Sequence, residues 1–173
     1  MNIWTLVVLL GVVAMVVGPL MLLQPSARER RQAELRERAR QEGILVSLRA
    51  LPRQATDMEA PSRIPAYKRP AGKGGGPTPP WMLVRAAYQH EAHFLGHWTW
   101  QGAGRASARE QQWLAHQLPS LPQSVQAVAG DAKGWSVYWT ELGGIEALEG
   151  ILDFLKGFSR TPKGEERNDR IRG

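Results

Sequence analysis

Cysteine is absent from the chain. No disulfide, thiolate metal site or cysteine nucleophile is available, which suits a reducing compartment. Charge is absent between Ile3 and Leu23, where IWTLVVLLGVVAMVVGPLMLL carries no Asp, Glu, Lys, Arg or His. A helix rising about 1.5 Å per residue would carry this run across the roughly 30 Å of a bilayer core. A continuous helix also satisfies its own backbone polar groups. Catalytic signatures are missing too. There is no Gly-x-Ser-x-Gly elbow. The triple glycine Gly74 to Gly76 has neither the preceding strand nor the Gly-Lys-Ser/Thr of a phosphate loop. No carboxylate pair stands out as acid and base.

The first expectation is therefore a transmembrane anchor over residues 1–25. No Lys or Arg precedes the apolar run, and Gln-Pro-Ser-Ala-Arg after it is a poor cleavage site, so a cleaved signal peptide fits less well. Trp4 stands where an indole prefers the headgroup level. Gly11, Ala14 and Gly18 share a helical face that would let a second helix approach. Arg28, Arg30, Arg31, Arg36, Arg38 and Arg40 follow the run and are candidates for lipid-headgroup contact. By the positive-inside rule they place the N-terminus outside and the rest in the cytoplasm. Arginine outnumbers lysine 17 to 5, a bias expected of a GC-rich bacterial coding sequence. The localisation expected is a bacterial inner membrane, crossed once.

The net charge of +6 is unevenly spread. Residues 24–42 carry net +2, 49–73 net +4, 80–158 net −2, and the tail after Phe158 net +2. The excess follows the apolar run, which fits anionic headgroups at least as well as nucleic acid. No basic stripe with interleaved aromatics marks a nucleic-acid groove.

Ser26 and Glu29 match a capping box and Gly43 a C-cap, so residues 26–42 are expected to form a charged juxtamembrane helix. Its apolar face is thin, mostly Leu35 and alanines, which predicts a solvated spacer. Residues 43–158 are expected to form one cytoplasmic α+β domain with a mainly antiparallel sheet and two covering helices. Strands are predicted at 43–51, 64–69, 81–89, 94–101, 125–129 and 135–140. Pro65 predicts an edge position for the second of them. Residues 53–80 are predicted to be a flexible loop around that strand, and 159–173 a disordered tail. Ser107 caps a predicted helix over 108–118. Ile145, Leu148, Ile151, Leu152, Leu155 and Phe158 trace the apolar stripe of the last helix.

His90, Glu91, His93 and His97 are the one cluster of chemistry-bearing residues. The spacing is not the His-Glu-x-x-His of a zinc protease, and the region predicts a turn and a strand, not a helix. The expectation is no metal, no cofactor and no enzymatic activity. Six tryptophans beyond Trp4 fall at core-like spacing. The alternative is an exposed aromatic patch for a protein partner, with Trp98, Trp100, Trp135 and Trp139 as its residues.

The span and the ARERRQAELRERARQ helix behind it, Ile3 to Glu42, resemble the YajC-type accessory subunits of the bacterial preprotein translocase. That resemblance implies one membrane span, a small cytoplasmic β-containing domain and a non-enzymatic accessory role. The family's Gly-Asp-x-Val and Gly-Gly pattern does not recur after the helix, where GILVSLRALPRQATDMEAP stands, so no site residue is carried over. The function expected is an accessory or scaffold subunit with a membrane-protein partner. A tethered enzyme built on the histidine cluster and a binder of anionic lipid or nucleic acid are the alternatives.

Overall fold

The computed structural model describes residues 2–22, 26–53 and 62–160. Contacts divide the chain into two units, Met1–Glu34 and Leu35–Gly173.

The first unit holds helix α1, Ile3–Leu22, and the start of α2, Ala27–Gln41. The capping box that opens α2 is formed. The Ser26 amide donates to Glu29 Oε2 at 2.6 Å, and the Glu29 amide donates to Ser26 Oγ at 3.2 Å. Large apolar side chains of α1 stand exposed, among them Ile3, Trp4, Leu9, Leu10 and Met15. The expectation of a transmembrane span is corrected here. Among the described residues no helix is long and apolar enough to cross a membrane. The single-pass reading and the membrane as a crossed partner are corrected with it.

The second unit is α+β. Six strands form one antiparallel sheet in the order β1-β2-β6-β5-β3-β4. They are β1 Leu45–Ala50, β2 Arg63–Pro70, β3 Trp81–Arg85, β4 Trp98–Trp100, β5 Val125–Asp131 and β6 Gly134–Trp139. Register carries Val46, Tyr67, Val137, Val128, Leu83 and Trp100 across the sheet as one row. Since alternate residues share a face, Trp81, Trp135 and Trp139 lie on that same face. It is the face the helices cover.

Those helices are α3, Ala108–Gln117, α4, Gly144–Arg160, and the second half of α2. The predicted Ser107 cap of α3 is a full capping box with Glu110. A single 3-10 turn, Leu118–Ser120, carries Pro119 and closes the helix. In α4 the stripe of Leu148, Ile151, Leu152, Leu155 and Phe158 is buried, whereas Ile145 is 52% exposed. Ile145 sits in the first turn, directly after the Gly143-Gly144 entry, before the helix settles on the sheet.

Helix α2 differs most from what its composition predicts. Leu35 and Ala39 are buried, so its second half is a third covering element. A Schellman ending fixes its exit. The Gly43 amide donates to the Arg40 carbonyl at 2.9 Å and the Ile44 amide to the Ala39 carbonyl at 3.1 Å. Gly43 has φ +75° there, a conformation glycine adopts without the Cβ penalty. The motif leaves Ile44 buried beside Ala39 and delivers the chain into β1.

Two strand expectations shift. Strand β2 is internal and not an edge, because β6 joins it only from Ala66 onward. Pro65 lies one residue outside that register and removes no bond from it. Strands β3 and β4 are shorter than predicted, and residues 86–97 fold back as a loop. The Phe94 and Leu95 amides both donate to the Trp98 carbonyl, which spends that end of the strand on a local turn. Most of the predicted tail (161–173) and part of the predicted flexible loop (54–61) lie outside the described residues.

On the face opposite the helices, Lys68 Nζ reaches both Asp131 oxygens, at 2.8 and 2.7 Å. Burial pushes the Asp131 carboxyl up, but Lys68 and the Lys133 and Gly134 amides outweigh it and hold it below its ordinary value. A carboxylate depressed in the folded state stabilises the fold above its unfolded pKa and loses that contribution as pH falls through the folded value. The pair is half-exposed, so about 1 kcal/mol or less is at stake. Asp131→Asn is expected to lower the urea midpoint slightly at pH 7 and to match the parent chain in strong acid. Equal midpoints at both pH values would remove the ion pair from the account.

Candidate functional site

The densest polar arrangement in the second unit lies where β6 hands over to α4. Glu141 is buried, its side chain 0% exposed, in the loop between Trp139 and Gly144. It has φ +58°, a left-handed conformation that costs a non-glycine residue of the order of 1 kcal/mol or more. Three donors converge on its carboxylate. Arg36 binds it in a fork, Nε to Oε1 at 2.7 Å and NH2 to Oε2 at 2.7 Å. Tyr67 OH donates to Oε1 at 2.9 Å. Tyr67 is itself buried, with its ring edge-on to Trp139 at 5.4 Å.

The electrostatics follow from that geometry. The hydrogen bond to Glu141 raises the Arg36 guanidinium above its usual value. Burial first, then the Glu141 charge, drives the Tyr67 phenol well above its usual range. Both groups therefore keep their protons throughout the physiological range. Three fixed donors occupy most of the roughly four acceptor sites of the carboxylate and hold it in one orientation. What the arrangement does is join α2, β2 and the β6–α4 loop at one point.

Further ion pairs tie α2 and α4. Arg38 reaches Glu42 at 2.9 Å and Glu149 at 3.0 Å, and Lys156 reaches Glu42 at 3.1 Å. Arg30–Glu34 and Glu34–Arg38 have the i,i+4 spacing of pairs along the helix. Arg38 turns instead to Glu42, four residues further on, and to Glu149, which only the fold brings near. Of the six arginines proposed for headgroup contact, Arg36, Arg38 and Arg40 bind carboxylates of this chain. Arg28, Arg30 and Arg31 are exposed. Within α1, Trp4 is 76% exposed, Ala14 is exposed and Gly11 faces open space. The surroundings of Gly18 lie outside the described residues.

The four tryptophans considered for a partner surface are spent on internal contacts. Trp139 and Trp98 are buried, and Trp100 and Trp135 pack partly buried against the core. Arg85 lies over the Trp98 ring at 4.8 Å and Arg105 over Trp100 at 5.5 Å. Trp100 meets Trp81 edge-on at 5.9 Å and Phe94 at 5.0 Å. Trp135 stacks on Phe158 at 5.9 Å. Trp113 joins the same cluster, 4.2 Å from Phe158 and 4.9 Å from Phe154.

His90, His93 and His97 lie in the 86–97 loop and not on a strand. Each has its Nδ1 against the local backbone: the Ala92 amide for His90, the Gly96 carbonyl for His93, the Ala86 carbonyl for His97. The His90 and His93 rings are 6.0 Å apart. Among the described residues no group of three His, Cys, Asp or Glu side chains is placed to hold a metal ion.

Sequence reasoning missed the Arg36–Glu141–Tyr67 cluster. Its members are separated by 105 and 74 positions, so no local spacing announces it. The available signal was a glutamate just ahead of Gly143-Gly144 with no helix of its own to solvate it. Compared with protein-family models, curated proteins and solved structures, the chain matches none of them.

Proposed function

We propose that the chain is a non-enzymatic accessory or scaffold subunit, which joins a larger assembly and acts there through its α+β domain. The observation that carries this reading is α1. Its apolar side chains stand exposed around the helix, Ile3 at 74%, Leu10 at 60% and Met15 at 80%. A helix apolar on every side is stable in water only when something covers it, and a patch of this extent marks an interaction surface. The polar cluster at Glu141 supports the same reading, since its three donors tie α2, β2 and the β6–α4 loop together. A place beside the preprotein translocase, as the resemblance over Ile3 to Glu42 implies, is the named version of this proposal.

The test is purification of the tagged full chain at native abundance in mild detergent, followed by mass spectrometry of what accompanies it. A stoichiometric partner is the expected result, and its identity decides whether the translocase version holds. Recovery of the chain with no stoichiometric companion of another sequence would end the accessory-subunit reading.

A further inference from the structure

The structure assigns a second interaction surface, the edge of β1 left open among the described residues, and its partner is a second copy of this chain. The two edges of the sheet are unequal. Strand β4 closes one side with three residues. Strand β1 closes the other with six, LVSLRA, paired to β2 in unbroken register from Leu45–Lys68 to Ala50–Arg63. Soluble proteins blunt such edges with proline, lysine, bulges or short strands. Strand β1 has none of these and carries one charge, Arg49. Its two leucines point to opposite faces, and both are exposed, Leu45 at 61% and Leu48 at 57%. Such an edge is built like an interior strand that lacks its neighbour.

The strand's own sequence is what selects a second copy as that neighbour. A two-fold axis perpendicular to the sheet pairs β1 with β1 antiparallel, and residues opposite one another then share a face. Centred on Ser47, this register sets Val46 against Leu48 twice on the helix-covered face. That extends an apolar row in which Val46 already packs against the core. On the other face Ser47 meets Ser47, and the stem of Arg49 lies along Leu45 at both ends. The two Arg49 side chains stand four residues apart, about 13 Å at strand spacing, beyond the roughly 8 Å screening length of physiological salt. Centring on Leu48 instead brings the arginines within about 7 Å and leaves Val46 only Ala50 to cover it. Charge and apolar matching therefore choose the Ser47-centred pair, and two six-stranded sheets become one of twelve. This goes beyond the accessory role and does not depend on it.

The absence of cysteine makes the test clean. Ser47→Cys, Leu48→Cys and Leu142→Cys are made singly in the full chain. Each is oxidised in mild detergent and run on a non-reducing gel. All three positions are exposed, so the fold is retained. Opposed residues on paired strands lie within the Cα separation a disulfide spans, roughly 4.4–6.8 Å. Residues offset by two positions do not. The expected result is a product of twice the 19.2 kDa chain mass from Ser47→Cys, formed at least tenfold faster than from the other two variants. Adding Leu48→Lys to Ser47→Cys is expected to abolish it. Equal rates at all three positions, as chance encounter or association through α1 would give, overturn the proposal. So does a Ser47→Cys adduct with a different protein.

Discussion

Alanine in place of Arg36 is expected to lower the stability of the α+β domain by about 2–3 kcal/mol, a fall of roughly 5–10 °C in melting temperature. Arg36 supplies two of the three donors to Glu141. Without them a carboxylate with no solvent exposure of its own keeps Tyr67 alone. Removing one partner of a fully buried pair costs about 3–5 kcal/mol. Arg36 is 35% exposed, so water can enter behind the shortened side chain, and the lower figure applies. Arg36→Lys keeps the charge but not the fork and is expected to lose about half as much. Tyr67→Phe removes the remaining donor at about 1 kcal/mol. The mechanism is checked by the pair Arg36→Ala with Glu141→Gln. If the cost is an uncompensated buried charge, neutralising Glu141 in the Arg36→Ala background restores stability. If the two losses simply add, charge is not the cause and packing of the arginine stem is.

This cluster also shows where the sequence stops being informative. Local rules served well wherever one element decides its own fate. The Ser26–Glu29 and Ser107–Glu110 boxes, the glycine ending at Gly43 and the stripe of α4 from Leu148 to Phe158 are set by neighbours within four residues, and all are present. The period-two spacing of Trp135, Val137 and Trp139 sets them on one sheet face for the same reason. Helix α2 misled because two apolar positions, Leu35 and Ala39, are too few to predict a buried face. Its docking comes from Arg36 and Arg38 meeting Glu141 and Glu149, partners more than a hundred residues away. Strand order is similarly non-local. Nothing within PAYKRP says that β6 will arrive beside it, so Pro65 predicted an edge. The tryptophans were ambiguous because burial and partner binding favour the same residue type. In the folded chain Trp98 and Trp139 are buried, and Trp100 and Trp135 pack partly buried against the core.

The β5–β6 turn carries a severely damaging substitution expected in this fold. Gly134→Ala should cost about 3 kcal/mol or more, enough to depress folding yield as well as the urea midpoint. Gly134 has φ +135°, a region an L side chain rarely enters. Its position in space is equally closed. A Cβ there would overlap the Arg69 carbonyl oxygen and lie 2.7 Å from the Ala71 amide nitrogen. Both are backbone atoms, so no side chain can swing aside. The turn is pinned on its other side too, since the Ala71 amide donates to the Lys133 carbonyl at 2.9 Å and the Gly76 amide to the Ala132 carbonyl at 2.9 Å. Moving the turn to make room would break these bonds and shift Asp131 away from Lys68. Gly72 provides the contrast within the neighbouring segment. A Cβ at Gly72 meets nothing within 4 Å, so Gly72→Ala should change stability by no more than about 0.5 kcal/mol. Urea midpoints of the two alanine variants, measured side by side, decide the matter. A Gly134→Ala chain as stable as its Gly72→Ala counterpart would mean that the segment after β2 does not clamp the β5–β6 turn. The central β2–β6 pairing would then owe its register to the side chains of the sheet alone.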